Sequence, residues 1–317
     1  MCCRQEKGSP LKNPGASIKA VLAGAATGTA LGLLGFWLAE VPSTHAMGMA
    51  TFILTPFAAG FAIAMVTQDQ SNKVFAATAL ALLTSLALLI SAGLETILCA
   101  VTAFPLLLGA LLTGALLGFL FRRLIAKFTG GTKFTSVVLL SLPLMIFTAH
   151  RIEMPTLLHS RQEMVTTSIR LTGAPNIIWA NLQSFDSLQV DKSFLMYVGL
   201  PIPERCTMEG TGLGATRTCY FNNGYIKETV IEWQPPFVMG LSIDRTNLPG
   251  RHWLGFENAR YELRPDGNQT VLTRATTIRS YLYPVWYWKP FETWGVSSEH
   301  RYIFADLARR LQQETTR

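Results

Sequence analysis

The sequence predicts two parts of different class: an all-α bundle of membrane-spanning helices, followed by a separate water-soluble α+β domain. Three observations predict this. Only four of the twenty acidic residues, Glu6, Glu40, Asp69 and Glu95, fall in the first 150 positions. Uncharged apolar runs of about 20 residues, the length a bilayer core demands, recur through that half. Beyond about Glu163 the apolar residues alternate with polar ones instead, the period of strands. One half therefore has lipid as its solvent and the other has water.

In chain order, a polar tail of residues 1–17 leads directly into apolar sequence, with no small-residue cleavage site of a secretory signal. The membrane part covers residues 18–150, with spans expected at 20–39, 47–67, 74–94, 96–121 or 105–121, and 134–149. Gly24, Gly28 and Gly32 in the first span permit close backbone approach between helices. Glu95 separates two apolar runs with almost no loop, which leaves two readings. Either the chain turns at the interface there and the next span opens near Pro105, a residue suited to a first helical turn, or Glu95 is an intramembrane ion or proton site.

The net charge of +7 does not point to nucleic acid, because the basic residues flank apolar runs rather than cluster with a groove-reading motif. Arg4, Lys7, Lys12 and Lys19 precede the first span, and Arg122, Arg123, Lys127 and Lys133 separate the last two. With both groups inside, five spans place the C-terminal domain on the non-cytoplasmic side. A reporter fused at Arg317 reads this out, and cytoplasmic behaviour would contradict it.

A linker, residues 151–162, precedes the second domain at 163–317. Pro175 opens a short helix through Ile178, Trp179 and Leu182. Phe237, Met239, Leu241 and Ile243 share one face of a strand, and Ala259, Tyr261 and Leu263 share a face of another. Asn223-Gly224 and Asp266-Gly267 mark hairpin turns. His300, Ile303, Phe304, Leu307 and Leu311 recur at helical spacing in a terminal amphipathic helix.

The run Ser168-Ile-Arg-Leu-Thr-Gly-Ala-Pro-Asn-Ile-Ile-Trp179 resembles the opening of START-like, polyketide-cyclase (SRPBCC) domains, in which a first strand enters a helix at Ala-Pro. Gly210-Thr-Gly-Leu-Gly-Ala-Thr-Arg217, Gly224-Tyr-Ile-Lys-Glu228 and Ile231-Glu-Trp-Gln-Pro235 resemble the middle strands of that family. The resemblance covers residues 163 to 315, about half the chain. It implies a helix-grip fold around a hydrophobic cavity, in a family that includes lipid carriers, cyclases and dehydratases. Alternation and resemblance together nominate Trp179, Phe221, Trp233, Phe237, Met239, Trp286 and Phe304 as cavity residues, with Glu228 and His300 as polar candidates.

The remaining motifs carry weaker signals. The glycine run 210–214 leads into a strand rather than a helix, so it reads as a turn and not a phosphate loop. His45, His150, His159, His252 and His300 show no metal-ligand spacing, and neither a metal nor a cofactor is expected. Glu228 and Glu232 share a strand face, as an acid–base pair or as a solvated one. Cys206 and Cys219 either form a disulfide or remain two buried thiols. Seven aromatics fall between Tyr281 and Trp294, as a packed corner or as an interfacial belt on lipid.

The expected function is binding of a lipid or other hydrophobic ligand at the membrane surface. The expected partners are therefore the bilayer and an apolar small molecule, with no nucleic acid. The alternatives are a cyclase- or dehydratase-like enzyme in the same cavity, or a protein-docking module whose cavity is filled by its own side chains.

Overall fold

A computed structural model describes residues 14–40, 47–67, 71–128, 132–157, 159–248 and 253–315. Most of the polar tail, the loop 41–46, and His45 and His252 lie outside the described residues. The chain divides into two compact units. The first contains α1 (Pro14–Glu40) as far as Ala39, a π-helical turn (Ala50–Leu54) running into α2 (Thr55–Val66), α3 (Ser71–Ser91), α4 (Ile97–Phe128) from Phe104, and α5 (Thr132–Leu157) as far as Ile152. Residues 40–49, 92–103 and 153–317 belong to the second unit.

In the first unit, Ile18–Glu40, Ser71–Ser91, Ile97–Ile125 and Ser136–Leu157 are long and apolar enough to cross a membrane, whereas the apolar helix at Ala50–Val66 is shorter. That short helix forms the centre of the bundle: Ala58, Ala62 and Ile63 are fully buried. Phe75, Leu83, Leu116, Leu140 and Leu144 on other helices are exposed, an arrangement suited to a lipid solvent. Glycine permits the tight packing. A side chain at Gly60 would strike the α4 backbone at Leu111, and one at Gly114 would strike the α2 backbone at Phe57. Gly24 and Gly28 of α1 likewise abut Thr67, Ala77, Ile63 and Ala81. Pro105 does not start a helix. It lies inside α4, which runs unbroken from Ile97, while Glu95 sits in the short link between α3 and α4.

The second unit is built on β1 (Arg161–Thr172), β2 (Pro203–Glu209), β3 (Thr216–Phe221), β4 (Gly224–Gln234), β5 (Val238–Thr246), β6 (Leu254–Asp266) and β7 (Gln269–Ser280). These form one antiparallel sheet in the order β1-β7-β6-β5-β4-β3-β2. The helices α6 (Pro175–Gln183) and α7 (Phe194–Val198) follow the first strand, and α8 (Val285–Thr315) closes the chain. A curled sheet gripping its terminal helix is the helix-grip arrangement. Its core gathers Ile178, Trp179, Met239, Leu241, Tyr261, Leu272, Phe304 and Leu307 from α6, three strands and α8.

Three sequence expectations require correction. The hairpin loops fall one residue from the expected pairs: Gly224 already pairs with Phe221, and Asp266 pairs with Gln269. The aromatic run is not a corner ahead of the last helix, because α8 begins at Val285 and continues through Pro290. Glu228 and Glu232 do not share an environment. The β4–β5 register slips between Val230 and Glu232, and a slip of one residue reverses which side chains face inward. Glu228 is therefore buried, while Glu232 pairs with Arg260 on the outside.

Candidate functional site: a cavity under the terminal helix

The amino-terminal half of α8 and the sheet line a cavity of about 190 Å³, all of whose lining belongs to the second unit. Strands contribute Phe221, Ile226, Ile243 and Phe256; α8 contributes Trp288, Phe291 and Val296. Thr96, Leu98, Cys99 and Thr102 form another part of the wall. The Tyr287 hydroxyl donates to the Thr102 carbonyl, and Leu98 lies against Gly199 beside α7.

Next to the solid core the wall becomes polar. Arg217 and Glu228, direct partners across β3 and β4, form a buried ion pair at 2.9 Å. Arg274 on β7 meets Glu299 of α8 at 2.9 Å. Arg161 meets Glu292 at 2.6 Å, and Glu292 also accepts a hydrogen bond from the Ser280 hydroxyl. The Tyr261 ring lies between two guanidinium groups, 5.7 Å from that of Arg217 and 5.2 Å from that of Arg274. Burial alone would lower the Arg274 pKa, but Glu299, Tyr261 and Glu228 more than offset it and hold the group above the ordinary arginine range.

His300 is fully buried beside this row, its ring nitrogens hydrogen-bonded to Thr276 and Thr167. Burial, reinforced by the positive charges of Arg274 and Arg301, pushes its pKa far down and keeps the ring neutral. Glu95 is half-buried near the wall. Burial, with a smaller contribution from the charge of Glu40, raises its pKa to about 7 against the hydrogen bonds from Cys99 and Trp253.

Of the residues nominated from sequence, Phe221 and Glu228 line the cavity. Trp179, Met239 and Phe304 are core residues instead, and Trp233 packs on that core with its ring 5.0 Å from Trp179. Phe237 and Trp286 face outward, 45% and 68% exposed. Met239, Leu241 and Ile243 do share the inner face, whereas Phe237 precedes β5 and departs from it; a helix-grip sheet is also solid at one end of its helix and hollow at the other. Alternation alone does not separate the two ends. Cys206 and Cys219 face each other across β2 and β3 as a disulfide, and the glycine run 210–214 is the turn between those strands.

The polar wall carried a signal in the sequence that was missed. Arg274 occupies the same strand phase as Leu272, Thr276 and Ile278, and Arg217 the same phase as Cys219 and Phe221. A charge on the apolar phase of a strand marks a buried ion pair. The contribution of residues 96–102 is a tertiary feature with no local sequence signature.

No family model and no curated protein matches this chain. Solved structures similar to its second half include a START superfamily protein from Mycobacterium smegmatis, 12% identical, with a TM-score of 0.35 over 47% of this chain and 97% of that one. Norcoclaurine synthase from Thalictrum flavum is 13% identical, with a TM-score of 0.35 over 50% of this chain and 98% of that one. A protein from Nitrosospira multiformis is 18% identical, with a TM-score of 0.34 over 49% of this chain and 100% of that one. The strand order and the gripped terminal helix give the second half a helix-grip fold, and it follows the apolar helices in sequence.

Proposed function

We propose that this chain is a membrane-anchored binding protein that holds a small apolar molecule in the cavity of its START-like domain. The observation that carries this reading is the cavity itself, about 190 Å³ with mainly apolar walls. It is somewhat larger than the ~150 Å³ cavity known to accept benzene. A ring system or a stretch of one lipid chain suits that volume better than a whole phospholipid. The apolar bundle supplies the anchor, and the bilayer is a reservoir of such molecules. The disulfide between Cys206 and Cys219 agrees with an oxidising compartment and so with a non-cytoplasmic domain.

An enzymatic reading has less support. Each carboxylate on the wall is engaged in an ion pair, and His300 is buried, neutral and hydrogen-bonded through both nitrogens. A docking module with a filled cavity is disfavoured by the cavity volume. The test is solvent extraction and mass spectrometry of the full-length chain purified in mild detergent. The proposal expects one class of apolar molecule at near one-to-one occupancy. Protein that is empty, and stays empty after incubation with total membrane lipid extract, would refute it.

A further inference from the structure

The polar row on the cavity wall restricts what the cavity accepts, an inference that rests on the ligand-binding reading above. Three carboxylates on or at the wall, Glu228, Glu292 and Glu299, are matched by three guanidinium groups, those of Arg217, Arg161 and Arg274. The row is therefore electrically balanced without a ligand. A ligand carboxylate or phosphate would add a buried charge with no counter-ion, which is costly in so apolar a site.

The balance in charge is not a balance in hydrogen bonds. Arg274 is only 7% exposed and lies on the cavity wall. Its Nη1 donates to Glu299, while its buried Nε has no acceptor among the described residues. The fully buried Tyr261 hydroxyl beside it also lacks a partner among those residues. A guanidinium has five N–H donors and no means of discarding its proton. Leaving donors unserved in a buried site costs free energy that a ligand oxygen can recover.

We propose that the cavity selects neutral apolar molecules carrying one oxygen acceptor, a carbonyl or hydroxyl, whose oxygen takes the free face of the Arg274 guanidinium. The hydrocarbon part of the ligand then lies against Phe221, Trp288, Phe291 and Val296. Selectivity arises from two opposed penalties: an alkane or arene leaves Arg274 unserved, and an anion overcharges the row.

Three probes with the same bicyclic body separate these cases: naphthalene, 2-acetylnaphthalene and 2-naphthoate, measured by equilibrium binding to the full-length chain in detergent. The ketone is expected to bind about tenfold tighter than naphthalene, the increment of one hydrogen bond to a charged group. The carboxylate is expected to bind no tighter than naphthalene. Arg274→Lys keeps the charge opposite Glu299 but removes the forked donors. It should abolish the preference for the ketone, so that the ketone and naphthalene bind the variant with equal affinity. Equal binding of ketone and naphthalene to the wild-type chain would overturn the proposal, as would tightest binding of the carboxylate. Both readouts use the unaltered protein, so they stand even where the variant folds poorly. If none of the three probes binds, the ligand-binding reading itself fails, a result distinct from binding without discrimination.

Discussion

At the scale of single residues, the buried charges are the expensive part of this protein. Removing one partner of a buried pair typically costs about 3–5 kcal/mol, because it strands the other charge. Such pairs are retained where they specify something, and here they border a cavity. Glu95 is a different case, since its raised pKa has a clear sign. Its carboxyl titrates near 4.5 in the unfolded chain and at about 7 in the folded one. Below about pH 4.5 both states hold the proton and Glu95 contributes no pH dependence. As the pH rises from there to about 7, the unfolded state releases the proton first and folding loses stability. The shift corresponds to at most about 3 kcal/mol, less for solvent screening of a half-buried group. Glu95→Gln should therefore match the wild type near pH 4.5 and be the more stable of the two at pH 8. Thermal unfolding of both proteins in detergent at the two pH values checks this. An unchanged difference between them would show that Glu95 is not desolvated.

At the scale of elements, the helices of the first unit are held by absences of side chain. Gly114 meets the backbone of α2, whereas Gly109, on the same helix, has open space around it. Gly114→Leu should destabilise the bundle by about 1–3 kcal/mol or more through overpacking. Gly109→Leu should remain within about 0.5 kcal/mol. Unfolding in detergent distinguishes them, and equal effects would contradict the close α2–α4 approach. The apolar helices were legible in the sequence because length and freedom from charge suffice to mark them. Strand existence was legible for a similar reason, as Met239 and Leu241 or Tyr261 and Leu263 show, but strand phase was not. The slip between Val230 and Glu232 is set by pairing with β5 and has no sign in the β4 sequence. The start of α8 was obscured by Pro284 and Pro290, which read locally as breaks. Packing of Trp288, Phe291 and Val296 on the inner face outweighs the single hydrogen bond that Pro290 removes.

At the scale of the whole molecule, a balanced polar row, an apolar hollow and a set of helices long and apolar enough to cross a membrane occur in one chain. The residues that make the hollow come from segments far apart in sequence: residues 96–102, the α7 region, five strands and α8. That dispersal is why the aromatic candidates read from local patterns fell mostly into the core, while Arg274, Glu292 and Glu299 were missed. It also means that an isolated 163–317 fragment would lack part of the wall, so binding is best measured on the full chain. Gly295, in α8, lines the cavity, and a Cβ there would lie 3.7 Å from the Leu200 side chain, an ordinary contact. Gly295→Phe therefore fills the hollow while replacing a poor helix former with a better one. The most direct test is native mass spectrometry of the intact wild-type and Gly295→Phe chains released from detergent. An apolar adduct on the wild type that is lost in Gly295→Phe, with thermal stability retained, is the expected result. The same adduct at the same occupancy on both proteins would place the ligand outside this cavity and contradict the account.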